Sequence, residues 1–179
     1  MSNLNSLKAD IIKRFDEKLI ELKDTLPPMG KNIGNSCAAD TLNNIIDVLN
    51  LGEGKYNYFN NLAVPFSGFA HFKGKNGWKG PCGAISGALA AIGIIMGGQE
   101  KIKDLEVPKV YGKALRYAKR FEKEFGSVMC AELCGFDLNI DLRQYVKTRA
   151  WENKCCKFIL FAIDHVSKIT RKELRQLWS

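Results

Sequence analysis

Pro81-Cys82-Gly83-Ala84-Ile85-Ser86-Gly87-Ala88-Leu89-Ala90-Ala91-Ile92-Gly93-Ile94-Ile95-Met96-Gly97-Gly98 contains the longest apolar run of the chain. A bilayer span needs about 20 consecutive apolar residues, and this run is shorter and broken by glycines. It therefore reads as a helix buried in a protein core. Pro81 suits its opening, because a first-turn N–H has no intrahelical partner to lose. Gly83, Gly87 and Ala91 recur every four residues, so one face carries almost no side chains. Such a face lets another helix, or a bulky group, come close.

Around this run the apolar residues repeat at helical steps. Leu4, Leu7, Ile11, Phe15, Leu19, Leu22 and Leu26 line one face of a long N-terminal amphipathic helix, ended by Pro27-Pro28. A second helix is expected from Asn35 or Ser36, either able to cap it, to Gly52, with Cys37 in its first turn. Tyr56 to Phe66 reads as a short helix with Pro65 near its end. A glycine- and aromatic-rich loop follows, from Gly68 to Gly80. Val110 to Phe125 gives an amphipathic helix with Leu115, Ala118, Phe121 and Phe125 inward and Gly126 as its stop. Ser127 can cap a short helix carrying Cys130 and Cys134, four apart on one face. A last helix runs from Trp151 or Asn153 to Trp178, with Cys155 and Cys156 in its first turn if Asn153 caps it. No alternating strand pattern or internal repeat stands out. The fold expected is all-α, a compact single-domain helical bundle, with residues 1–30 as the N-terminal amphipathic helix and 31–179 as a cysteine-containing helical domain. The apolar face of the first helix must be covered, either by the domain itself or by a homodimer contact.

With 179 residues and 46% hydrophobic content, the chain can bury one substantial core. Met1 to Leu26 is dotted with charge and lacks the apolar segment of a secretory signal, so a cytoplasmic location is expected. The net charge is +8. Asp141 to Ser179 carries nine Lys/Arg against four Asp/Glu, and Lys73, Lys75 and Lys79 add a second basic patch. Such patches suit an acidic redox-partner protein, and a solvated basic face gives no reason to invoke nucleic acid.

Six cysteines are many for a reducing compartment, where structural disulfides are disfavoured. Metal binding or thiol chemistry is the leading explanation, with ordinary small core residues as the alternative. Cys37, Cys82, Cys130 and Cys155 are each expected near a helix N-terminus, where unpaired N–H groups and the macrodipole favour a thiolate. These thiols should be acidic, which suits both redox exchange and cluster ligation. There is no C-x-x-C, and no C-x-x-C-H for covalent haem. The histidines are His71 and His165. His71, in the glycine-rich loop, is a reserve metal ligand.

Cys82-Gly83-Ala84-Ile85-Ser86-Gly87 matches a CGAxxG motif. Gly34-Asn35-Ser36-Cys37-Ala38 precedes it, and Phe125-Gly126-Ser127-Val128-Met129-Cys130-Ala131-Glu132-Leu133 and Cys155-Cys156-Lys157-Phe158-Ile159 follow. In motif and order this set resembles the C_GCAxxG_C_C family of redox-active proteins, over about Asn32 to Val166. The family is related to the cysteine region of split-Soret cytochromes, so the resemblance implies an iron–sulfur cluster used for electron transfer or redox sensing. Cys37, Cys82, Cys130 and Cys155 are the ligands it implies, with Cys134 and Cys156 in reserve. A thiol–disulfide oxidoreductase and a non-catalytic helical adaptor remain as alternatives. The convergence of the four primary cysteines, with Lys73, Lys75 and Lys79 making the mouth of the site positive, is the main structural expectation.

Overall fold

The computed structural model describes residues 2–26, 36–77 and 79–174. Among them are eight α-helices and no strand, as the helical periodicities require. The helices are α1 (Ser2–Thr25), α2 (Cys37–Leu49), α3 (Glu53–Phe69), α4 (Gly83–Gly97), α5 (Val107–Phe125), α6 (Cys130–Cys134), α7 (Leu142–Lys147) and α8 (Cys156–Glu173). A 3-10 turn, Asp104–Glu106, leads into α5, and a π turn, Trp151–Cys155, leads into α8.

The apolar run forms the central helix. α4 packs against α2, α3, α5 and α8, and its Ala88, Ala91, Ile92 and Ile95 are wholly excluded from solvent. Two of its glycines set the spacing to α2. A Cβ on Gly87 would stand 2.4 Å from the Ala38 carbonyl oxygen, and one on Gly83 would stand 3.0 Å from Cys37 Cβ. The small-residue face thus serves close helix packing, and that packing brings the starts of α2 and α4 together. α1 lies along α8 and α2 and places Ile11, Phe15 and Leu22 in the common core. Lys18, at 2.8 Å from Asp47, ties it to α2. No helix among the described residues is long and apolar enough to cross a membrane.

Several boundaries differ from the sequence reading. α3 starts at Glu53, continues to Phe69 and contains Pro65. The bond that Pro65 cannot make would have gone to the carbonyl of Asn61, and both residues are exposed, so water can take that place. On α5 the buried residues are Tyr117 and Phe121, whereas Leu115 is 58% exposed. Two positions from Tyr117 is more than half a turn of helix, which puts Leu115 on the opposite face. Asn153 does not cap α8. Its side-chain amide donates to the Thr148 carbonyl at 3.1 Å inside a helical run that has already begun at Trp151. The expectations on Pro27-Pro28, Asn35 and the last helix beyond Leu174 lie outside the described residues.

Candidate redox centre

Each cysteine-bearing segment is held by its own local device. Ser36 caps α2, its Oγ accepting the Ala39 N–H at 3.1 Å, and it also shares a proton with Ser67 Oγ at 2.8 Å. Ser67 Oγ accepts the Ala38 N–H in turn, so the end of α3 clamps the first turn of α2 and fixes Cys37. Cys82 is the N-cap of α4. It is fastened to Cys130 by a short antiparallel bridge: Cys82 N–H donates to the Val128 carbonyl at 2.8 Å, and Cys130 N–H donates to the Gly80 carbonyl at 3.0 Å. Only glycine fits at position 80, where a Cβ would lie 2.0 Å from the Phe69 carbonyl oxygen.

The segment after α5 explains the Phe-Gly-Ser-x-x-Cys-x-Glu-Leu pattern in physical terms. Gly126 ends α5 in the left-handed conformation at φ 82°, a cost-free choice for glycine. Ser127 Oγ accepts the Met129 N–H at 3.0 Å and donates to Glu132 at 2.6 Å. Glu132 also binds Lys79 at 3.1 Å, joining the two cysteine segments a second time. Cys130 thereby sits at the first position of α6, and Cys134 follows one turn later on the same face.

Five thiols meet where these segments join. Cys37 interacts most strongly with Cys155, and Cys130 with Cys134. Cys82 interacts electrostatically with both pairs. The setting is dry: Cys82, Cys134 and Cys155 are 4%, 1% and 6% exposed. All six cysteines are free thiols. Tyr145 from α7 puts its hydroxyl 3.4 Å from Cys155 Sγ. The hydroxyl of Tyr117 is buried and has no hydrogen-bond partner among the described residues.

The protonation pattern departs from the expected set of acidic thiols. Interaction with Cys155, and then burial, hold the Cys37 proton far above the ordinary thiol range. Burial pushes Cys82 up to about 12, although the N–H groups of Ala84 and Ile85 oppose it. Cys130 is raised by its interaction with Cys134 and by burial. Each pair has one acidic member: Cys134 falls to about 7 through its interaction with Cys130, and Cys155 is lowered by its interaction with Cys37 and by the bond from Tyr145. Burial and mutual repulsion thus outweigh the helix N-termini, and Cys155 is not at one.

The reserve residues separate. Cys134 belongs to the cluster. Cys156 faces the other way, toward Asp40 and Glu152 in a surface cleft with Leu22 and Leu160, and burial raises it to about 11. His71 borders a cavity of about 350 Å³ on the outer side of α6, where its charged neighbour is Asp137. Lys73 and Lys79 border the same cavity but are paired with Asp137 and Glu132, so the mouth is less positive than expected. Tyr117 and Tyr145 escaped the sequence reading. Tyr145 had a signal, since it is the one aromatic in the short polar segment from Leu142 to Lys147.

Among the described residues, no three His, Cys, Asp or Glu side chains are gathered tightly enough to grip a single ion. Thiol sulfur is the donor type that holds an iron–sulfur cluster, and five such donors lie on the segments described.

No curated protein and no solved structure matches the chain. A family model described as "Putative redox-active protein (C_GCAxxG_C_C)" matches residues 47–169, a stretch that holds Cys82, Cys130, Cys134 and Cys155 and starts after Cys37. By that match, over more than half its length, the chain belongs to the C_GCAxxG_C_C family.

Proposed function

We propose that the chain binds an iron–sulfur cluster through Cys37, Cys82, Cys130 and Cys155, with Cys134 as the thiol able to replace one of them, and that it serves electron transfer or redox sensing. The supporting observation is the meeting of five thiols, brought from four separate segments, in a dry interior. When bound, such a cluster supplies one-electron transfer at thiolate-ligated iron. The chain's own groups prepare the place. Ligation requires deprotonated sulfur, so loading releases the protons that Cys37, Cys82 and Cys130 hold in the free protein. The Ala84 and Ile85 N–H groups then donate to Cys82 Sγ, and the Tyr145 hydroxyl donates to Cys155. Burial by α2, α4 and α8 excludes water. Anaerobic purification followed by iron, sulfide and visible-spectrum analysis tests this reading: stoichiometric iron and sulfide are expected, and a colourless, iron-free protein after anaerobic reconstitution would reject it.

The mutual influence of Cys37 and Cys155, and of Cys130 and Cys134, favours thiol–disulfide exchange as a second reading. In that chemistry the Cys134 or Cys155 thiolate attacks a partner's disulfide, displacing one of its sulfurs as a thiolate. Cys130 or Cys37 then closes the internal disulfide and releases the reduced partner. A colourless protein with a reversible two-electron dithiol titration would select this reading over the first.

A further inference from the structure

On the side of the molecule away from α6, α5 and α8 enclose a cavity of about 410 Å³ lined by Lys113, Arg116, Arg120, Lys168, Arg171 and Lys172, with Tyr117, His165 and Ile169 completing its wall. Each helix supplies three cations at helical steps, so both charged rows face one space. Some of this charge is answered: Glu173 binds Lys113 at 2.5 Å, Asp164 binds Lys168 at 2.5 Å, and Asp16 lies 3.6 Å from Arg171. Arg116, Arg120 and Lys172 have no ion-pair partner among the described residues. His165 is 7% exposed and lies against Tyr117 and Phe161. Like charges of which only half are answered by acids are unfavourable in the free protein, which is the arrangement an anion relieves.

We propose that this cavity binds a small molecule bearing a chain of phosphates. Its volume lies in the range of about 300–1,000 Å³ usual for small-molecule sites. Guanidinium forks match phosphate oxygens in pairs, and three unanswered cations with three more at the rim call for several negative charges on one compact ligand. The concave form does not suit the flat surface of an acidic protein. The charges converge on one spot, where a nucleic acid would need a stripe along its backbone.

Calorimetric titration of the full chain with inorganic tripolyphosphate tests the site, with ATP and citrate in parallel. Saturable one-to-one binding of tripolyphosphate is expected, weakened by salt and at least tenfold tighter than citrate. ATP distinguishes the source, because equal affinity means the phosphate chain suffices and tighter binding means that the nucleoside is also recognised. Arg116 and Arg120 are exposed, so Arg116→Ala and Arg120→Ala leave the core intact; each is expected to weaken binding about tenfold or more, the loss of a hydrogen bond between charged groups. A control with Lys75, Lys147 and Lys157 changed to Ala removes three exposed cations elsewhere and is expected to bind within about twofold of the original protein. Binding that falls equally in this control, binding of citrate as tight as tripolyphosphate, or saturation only by an acidic protein or nucleic acid would each overturn the proposal.

Discussion

Asp40 shows how a single buried group sets a pH response. It lies in the first turn of α2, its Oδ2 has no hydrogen-bond partner, and burial raises its carboxyl to about 6. A carboxyl raised on folding stabilises fully below its unfolded value, near 4, and that contribution is lost as pH rises through 6. Asp40→Asn is therefore expected to stabilise the protein at pH 7 by about 1–3 kcal/mol and to change little at pH 4, as read by denaturant unfolding at the two pH values. Cys82 carries the same sign at higher pH. With its proton held up to about 12, the metal-free protein should lose stability between pH 9 and pH 12, and Cys82→Ala should flatten that fall. Tyr145 acts in the other direction, because its hydroxyl stabilises the Cys155 thiolate. Tyr145→Phe is expected to raise the Cys155 pKa, seen as a later rise of thiolate absorbance near 240 nm.

Among the elements, the contact between α2 and α4 controls the centre. Gly87→Ala would drive a methyl group to 2.4 Å from the Ala38 carbonyl oxygen, and backbone on both sides leaves no soft response. Overpacking of this kind costs about 1–3 kcal/mol, and here it also separates Cys37 from Cys82. Gly93→Ala on the same helix meets nothing within 4 Å, so it should stabilise by up to about 1 kcal/mol through helix propensity. Thermal unfolding of the two variants separates packing from propensity. The clasp of Lys79, Glu132 and Ser127 is a second element-scale joint, holding α6 beside the start of α4. Glu132→Ala should leave the helical content unchanged while loosening Cys130 and Cys134, measurable as faster alkylation of these thiols.

In the molecule as a whole, the most legible features were those written in periodicity. The central helix, the amphipathic α1 and the stop at Gly126 follow from apolar spacing and turn chemistry alone. Pro65 misled because its cost depends on whether water can reach the carbonyl of Asn61, which a local pattern does not encode. The cysteine segments stood out by motif, but the choice between Cys134 and Cys156 is geometric. Cys134 shares a helix face with Cys130, which its spacing did announce. Cys155 and Cys156 are neighbours about 100° apart on a helix, and only the π turn and the packing of α8 decide which one turns inward. Tyr145 reaches Cys155 through a tertiary contact alone. Serine substitutions across the chain test the proposed cluster: loss of iron is expected at Cys37, Cys82, Cys130 and Cys155, a weaker effect at Cys134, and none at Cys156, as read by iron content.

The pairing of Cys37 with Cys155 joins the beginning of α2 to the foot of α8. A covalent bond between them would close residues 37–155 into a ring, leaving α1 and α8 outside it as tails. Closing a ring of about 120 residues removes roughly 5 kcal/mol of freedom from the unfolded chain. A domain of this size is commonly stable by only about 5–15 kcal/mol, so such a ring would change its melting behaviour visibly. The electron count at the centre would then be written into how hard the protein is to unfold, and a melting curve would read it without any view of the sulfur atoms.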